Sequence, residues 1–154
     1  MPAVGHARVV TPAQFRPAGA RPVLLATFDV PFAPEAAEFA VDTAVESGQR
    51  LIVVNVSTVP MLPMSMLMGY EYLESEELTV ALRAPAELAA SLGIRVELLR
   101  VSSPHPAEAL LELTAERNPG LLVLGPDLKR VRARLYRKAA RRVQEQATCL
   151  VWLA

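Results

Sequence analysis

A dense run of basic side chains follows a short apolar stretch near the carboxyl end of the chain. The stretch LLVLG, residues 121–125, leads through Pro126 and Asp127 into a segment in which more than half of the positions are basic. The bases are Lys129, Arg130, Arg132, Arg134, Arg137, Lys138, Arg141 and Arg142. A strand that leads through a loop into a helix often binds phosphate, because main-chain N–H groups and the positive helix end attract anions. The segment therefore predicts either an anion site or a charged, solvent-facing helix.

Helical spacing favours a core-packed helix that extends forward toward Leu128. Its apolar positions form one stripe: Leu128, Val131, Leu135, Ala139, Val143 and Ala147. The basic face contains like charges four residues apart, such as Arg134/Lys138 and Arg137/Arg141, and each pair costs a few tenths of a kcal/mol. A compensating anion is therefore expected. The candidates are the acidic residues Glu71, Glu74, Glu76 and Glu77, an acidic protein partner, a phosphate-bearing ligand or, less favoured, nucleic acid.

Other residues that could do chemistry are sparse. His105 lies in a Ser-Ser-Pro-His-Pro loop, and the helix carboxylates Glu108 and Glu112 are interpreted as solvated. The sequence contains no nucleophile-elbow motif, no P-loop lysine motif and no metal-ligand cluster with plausible spacing. We therefore expect no catalytic residue, no metal and no resident cofactor.

Composition predicts one globular domain. The 154 residues have a formal net charge of zero, but half of the 16 bases lie in positions 129–142. The single cysteine, Cys149, is interpreted as a small buried hydrophobe, and its isolation indicates a reducing, cytoplasmic setting. We expect no signal peptide and no membrane segment. Residues 1–20, rich in Pro and Ala and free of acids, are predicted to be a flexible or extended arm before a domain at 21–154.

Apolar runs alternate with helical patterns along that domain. Strands are predicted at 22–28, 50–57, 94–102, 121–125 and 148–153. Helices are predicted from Pro34 to a stop at Gly48, over 71–93 with a kink or restart near Pro85, and from Pro106 to before Gly120. The basic segment is the fourth helix. The Met-rich segment between 59 and 72 is interpreted as a loop packed on the core.

This alternation predicts a parallel, doubly wound sheet with helices on both faces. Ligands bind such sheets beyond the carboxyl ends of the strands. Those ends are Thr27 to Val30, Val56 to Thr58, Ser102 to His105 and Leu124 to Asp127.

Over residues 21–154 the chain resembles the universal stress protein family. LLATFD is similar to the family's first strand with its terminal aspartate, and RLIVVNV to its second strand. SPHPAEALLELTAERNPGLLVLG is similar to its turn, helix and fourth strand, and RRVQEQATCLVWL to its last helix and strand. The resemblance implies a three-layer α/β sandwich with a five-stranded parallel sheet, Rossmann-like and adenine nucleotide alpha hydrolase-like. It also implies a homodimer, which would form through the C-terminal strand, and a role in stress survival.

The resemblance also implies where a nucleotide would lie. Family members that bind ATP follow the fourth strand with Gly, two residues, Gly, nine residues, then Gly and Ser or Thr. Gly125 matches the first glycine, whereas Leu128 stands at the second. Counted back from Cys149, Arg137 and Lys138 stand at the final pair, because the segment is about one residue shorter than the family pattern. Candidate positions for an adenine nucleotide are therefore Thr27, Asp29, Val56, Leu124, Gly125, Arg137 and Lys138. The first loop departs too, because Asp29 is followed by Val-Pro-Phe-Ala-Pro.

Three hypotheses follow from these observations. The first is a dimeric stress-response module that does not bind ATP in the family's usual way. The second is an ATP or AMP binder in which Arg137 and Lys138 replace the glycine loop. The third is a nucleotide hydrolase or phosphotransferase, or a nucleic-acid binder that uses the basic helix.

Overall fold

The computed structural model describes residues 21–60 and 74–154. In these ranges five strands alternate with four helices, in the order predicted from the sequence. The strands are β1 (Val23–Thr27), β2 (Leu51–Thr58), β3 (Val96–Ser103), β4 (Leu121–Leu124) and β5 (Leu150–Leu153). The helices are α1 (Pro34–Ser47), α2 (Glu76–Ser91), α3 (Pro106–Arg117) and α4 (Ala133–Gln146).

The strands form one sheet in the order β3-β2-β1-β4-β5, and every pair is parallel. The chain winds outward from β1 to β3, then returns to the other side of β1 for β4 and β5. The winding direction therefore reverses between β1 and β4. In open α/β sheets this switch point is where a crevice for ligands normally opens.

Helices cover both faces of the sheet, as predicted. Alternate strand residues supply two separate cores, because successive side chains of a strand point to opposite faces. Val23 and Leu25 pack with α1 and α2, whereas Leu24 and Ala26 pack with α3 and α4. All four side chains are fully buried. The result is the three-layer α/β sandwich that the sequence predicts.

Helix ends largely follow the predicted signals. Pro34 begins α1, and Gly48 ends it with a positive φ of 70°. Ser75 caps α2 by accepting a hydrogen bond from the Leu78 N–H at 3.1 Å. The helix then continues through Pro85 to Ser91, so of the predicted kink or restart the restart does not occur. Pro85 is buried, and its packing offsets the main-chain hydrogen bond that a proline cannot donate.

The sequence pattern predicts that the fourth helix extends forward toward Leu128, and this prediction was wrong. Instead the helix begins at Ala133, after a turn organised by Asp127. The Asp127 carboxylate accepts from the Lys129 N–H at 3.0 Å, and its carbonyl accepts from the Arg130 and Val131 N–H groups at 3.0 Å. Aspartate competes in this way with helical hydrogen bonding. Leu128 is consequently 52% exposed and does not belong to the apolar stripe.

Two predicted features lie outside the described residues. They are the arm at 1–20 and most of the Met-rich segment, residues 61–73. Among the helices that are described, none is long and apolar enough to cross a membrane.

Candidate functional site

The two loops that flank the switch point are hydrogen-bonded to each other. The Ala33 N–H donates to the Gly125 carbonyl, and the Asp127 N–H donates to the Pro31 carbonyl, both at 2.9 Å. Phe32 and Pro126 lie opposite each other in an antiparallel bridge. We call residues 31–33 and 125–127 the loop bridge. It joins the loop after β1 to the loop after β4 where a doubly wound sheet usually leaves a crevice.

Both main-chain polar groups of Gly125 are hydrogen-bonded within the protein. Its N–H donates to the Ala26 carbonyl at 3.0 Å, and its carbonyl accepts the Ala33 bond of the loop bridge. A Cβ atom at this position would overlap the Cβ atom of Ala36, in the first turn of α1. Glycine is therefore needed here for close packing of α1 on β4. The Gly125 amide is already bonded within the sheet.

Asp29 lies at the centre of a cluster of polar side chains between the ends of β1 and β2. Its Oδ1 accepts from Ser57 Oγ at 2.8 Å and from Asn55 Nδ2 at 3.2 Å, and its Oδ2 accepts from the Thr58 N–H at 3.3 Å. Its own N–H donates to Asn55 Oδ1 at 2.7 Å. Asp29 has a positive φ of 59°, a conformation that aspartate tolerates better than most residues. These bonds hold the β1 loop against β2.

Asn55 and Ser57 were not among the candidate residues, although Ser57 lies within the predicted strand end Val56 to Thr58. Both are buried, and they share one face of β2 because they are two residues apart. In the parallel register Asn55 lies beside Thr27, whose hydroxyl donates to the Val30 carbonyl at 2.7 Å. An asparagine inside the apolar run LIVVNV was the available signal, since a buried amide requires hydrogen-bond partners.

The structure brings five of the seven predicted positions to one edge of the sheet. Thr27 ends β1 and Asp29 follows it, Val56 lies near the end of β2, and Gly125 follows Leu124, the last residue of β4. The side chains of Val56 and Leu124 are fully buried in the core beneath α3 and α4. These two residues therefore offer a ligand only main-chain atoms. The Leu124 carbonyl already accepts from the Ala154 N–H at 3.0 Å.

The other two predicted positions, Arg137 and Lys138, lie in α4 beyond the Asp127 turn, and both are exposed. Lys138 is directed toward α3, where its Nζ lies 3.4 Å from Glu108 Oε1. Their role as ligands of a nucleotide stays a prediction.

Part of the basic segment is neutralised by the chain's own acids. Arg130 pairs with Glu77 at 2.6 Å, one of the acids that the sequence proposed as a compensating charge. Arg142 pairs with Glu108 Oε1 at 2.5 Å, the same oxygen that Lys138 approaches. The prediction that Glu108 is merely solvated was therefore wrong. Its pKa is lowered by its own main-chain N–H, and further by Lys138 and Arg142, against the opposing effect of desolvation.

The amino end of α4 concentrates positive charge. No side chain caps it, its N-cap is Arg132, and its first turn contains Arg134 but no acid. Helix N-termini carry partial positive charge, so bases placed there are unfavourable and an anion would be stabilised. The charge at this end is not offset by any ion pair of Arg132 or Arg134 within the described ranges.

The packing of α1 against Gly125 yields a testable double-mutant cycle. Gly125→Ala should lower the free energy of unfolding by about 1–3 kcal/mol, because the added methyl overlaps Ala36. Ala36→Gly should lower it by about 1 kcal/mol, because glycine weakens a helix interior. The double variant should lose clearly less free energy of unfolding than the two single variants together, since removing the Ala36 methyl makes room for the new methyl at position 125. Urea denaturation of the four proteins measures this coupling, and strictly additive losses would contradict the described packing.

Comparison with known proteins bears on both the fold and the family. The model of the universal stress protein family matches residues 19–154. A universal stress protein family structure from Burkholderia pseudomallei superposes with a TM-score of 0.60 at 20% identity, covering 90% of this chain and 98% of that one. A universal stress protein in complex with cAMP superposes with a TM-score of 0.58 at 20% identity, covering 89% of this chain and 98% of that one.

A third solved structure has the same fold. The Archaeoglobus fulgidus universal stress protein in complex with dAMP gives a TM-score of 0.53 at 17% identity, covering 86% of this chain and 96% of that one. None of the curated proteins matches this sequence significantly. Because the family model spans almost the whole chain and includes every described strand and helix, the chain belongs to the universal stress protein family.

Proposed function

We propose that this chain is a non-catalytic regulatory or interaction module of the stress response that does not hold ATP in the family's usual way. The loop bridge is the observation that carries the proposal. The usual phosphate loop depends on glycine amides that are free to approach phosphate oxygens. In this chain the Gly125 amide is bonded to β1, and the Gly125 carbonyl is bonded to Ala33.

The rest of the loop supports the same conclusion. Leu128 stands where the second glycine is expected, inside the turn that Asp127 organises. Asp29, which the resemblance implies as an adenosine-side contact, accepts hydrogen bonds from Asn55, Ser57 and Thr58. The main-chain groups of Gly125, which the family's phosphate loop would use, are thus already hydrogen-bonded to β1 and to the loop after β1.

One observation favours a second candidate, an adenine-nucleotide binder that uses bases instead of glycines. The uncapped, positively charged start of α4 would stabilise a phosphate group, and arginine is well suited to bind one. The cAMP and dAMP complexes show that other proteins with this fold bind such ligands. In this candidate Arg137 and Lys138 would contact the phosphates, and ATP or AMP would be the ligand.

The exposed bases of α4 also suit an acidic protein partner. Arg134, Arg137 and Arg141 are spaced three and four residues apart, so they form one stripe along the helix. Arginine side chains bind carboxylates through paired hydrogen bonds.

We also propose that the module is cytoplasmic. The chain has a single cysteine, Cys149, which favours a reducing compartment.

Calorimetric titration separates the two candidates. We expect no binding heat when ATP, ADP or AMP is added to the full chain, because the main-chain N–H and carbonyl of Gly125 are already hydrogen-bonded within the protein. Saturable heat would contradict the leading proposal. If that heat disappears in the double variant Arg137→Ala/Lys138→Ala, the nucleotide-binding candidate replaces the leading proposal.

A matched control tests whether any such loss is specific. Arg83 and Arg95 are exposed bases outside α4, so Arg83→Ala/Arg95→Ala changes the net charge equally. Binding that both double variants weaken alike would indicate a non-specific charge effect. Continuous heat release after each injection would indicate turnover and contradict a non-catalytic role.

We also propose that the module is a homodimer that pairs through β5. This strand is at the edge of the sheet, where one row of main-chain groups lacks a described neighbouring strand. The edge is held firmly in place. Trp152 stacks on Phe39 at 5.7 Å between ring centroids, and the Tyr136 hydroxyl donates to the Ala154 carbonyl at 2.7 Å. An ordered, exposed edge favours pairing with another strand.

Substitution at Leu153 tests this dimer. The Ala154 N–H donates inward to Leu124, so the adjacent Leu153 N–H points away from β4 because these groups alternate along a strand. We expect sedimentation equilibrium to give the mass of two chains for the wild type and for Leu153→Ala. Leu153→Pro removes the outward N–H and should give the mass of one chain. A monomeric wild type, or a dimeric Leu153→Pro, would contradict pairing through β5.

A further inference from the structure

A groove runs between α1 and α2 on the outer surface of one helical layer. It encloses a volume of about 370 Å³ and is open to solvent. Ala37 and Val41 of α1 line one side, Ala84 and Leu88 of α2 line the other, and Phe32 from the loop before α1 also lines the groove. We call this feature the α1–α2 groove. It lies on the face of the sheet opposite α3 and α4.

Exposed apolar side chains continue the row of Ala84 and Leu88 beyond the groove in both directions. Val80 of α2, Leu88 and Leu92, which caps the helix end, are 62%, 52% and 54% exposed, and with Ala84 they recur every four residues. The same helix already buries another row against the core, which includes Leu78 and Leu82. Exposed apolar side chains that line up with a groove commonly mark a docking surface.

Acidic side chains border the groove. Glu38 and Asp42 line it, Glu35 and Glu46 continue their row along α1, and this helix contains no base. These four carboxylates are exposed and form no ion pair with any residue in 21–60 or 74–154. Glu38, Asp42 and Glu46 are spaced four residues apart and repel one another. An occupant with apolar anchors and positive charge would satisfy both features.

Residues 1–20 have this composition. The chain has no acidic residue before Asp29, whereas the first twenty residues include Arg8 and Arg16. Apolar side chains adjoin both arginines, because Val9 and Val10 follow Arg8 and Phe15 precedes Arg16. This segment therefore offers two basic positions with an adjacent apolar anchor at each.

The attachment point of this segment permits it to reach the groove. Arg21 is held at the amino edge of the sheet, where its Nη2 donates to the Pro119 carbonyl at 2.8 Å. An extended chain spans about 3.3 Å per residue, so Phe15 can lie about 20 Å from Arg21 and Val10 about 36 Å. Helix α1 returns toward the same edge and is about 21 Å long. The span available to residues 10–20 is therefore as long as α1 or longer.

We propose that residues 1–20 dock in the α1–α2 groove of their own chain, with apolar side chains in the groove and Arg8 and Arg16 against the α1 carboxylates. Docking covers the exposed side chains of α2 and offsets the repulsion along α1. Because the segment is covalently attached, its effective concentration at the groove is on the order of millimolar, so weak contacts suffice.

Paramagnetic broadening in the full chain tests the proposal. A nitroxide is attached at Ala13→Cys in a Cys149→Ala background, and the amide signals of isotopically labelled protein are recorded before and after its reduction. We expect strong loss of intensity at Ala37, Val41, Ala81 and Leu88, with little loss at Ala109 and Ala140 on the opposite face. Equal loss on both faces, or no loss, would overturn the proposal.

Two variants of exposed alanines in α2 provide a matched comparison. Ala84→Arg puts bulk and positive charge in the groove and should abolish the local loss of intensity. Ala90→Arg places the same side chain on another exposed part of the helix and should leave that loss unchanged. An identical response to the two variants would show that the groove is not the docking site.

A mixed sample identifies which chain supplies the arm. Nitroxide-bearing protein without isotopes is combined with isotopically labelled protein that carries no nitroxide. If the arm docks on its own chain, the amide signals of the groove residues should show no selective loss of intensity in this mixture. Selective loss at the groove residues would assign it to the arm of a second copy and overturn docking within the same chain.

Discussion

The hydrogen bonds between the β1 loop and the β4 loop are the constraint on which the rest of the site depends. A doubly wound sheet normally leaves its switch point open, and these bonds close it with main-chain atoms. Closure requires a long first loop that can fold back, and the segment between Asp29 and Pro34 supplies it. It also requires Gly125, because any side chain there would collide with Ala36. One glycine of the phosphate motif is thus explained by packing alone.

The bridge changes how the polar residues around it are interpreted. Asp29 is positioned by Asn55, Ser57 and Thr58, so its clearest role in the structure is to hold the first loop in the conformation that reaches Gly125. On the other side, the Asp127 turn delays the start of α4 to Ala133. The bases from Arg134 onward are consequently displayed along a helix, where Lys138 and Arg142 pair with Glu108. Arg130 precedes the helix and pairs with Glu77.

Much of the fold could be predicted from local sequence patterns. Apolar runs identified every described strand, and Pro34, Gly48 and Pro106 marked the ends of helices, because these signals act within a few residues. The loop bridge could not be predicted in the same way, because it joins segments that are far apart in the chain. The same limit applies to Glu108, whose partners Lys138 and Arg142 belong to another helix. Leu128 was misassigned because helical spacing was extended past a turn-forming aspartate.

Hydrogen exchange at two amides tests the closed switch point most directly. The Ala33 and Asp127 N–H groups form the loop bridge, and both lie outside the named strands and helices. We predict that they exchange nearly as slowly as amides of the β1–β4 ladder, and that saturating ATP leaves both rates unchanged. Rates typical of solvent-exposed loop amides would contradict the account, as would a marked change at either amide when ATP is added.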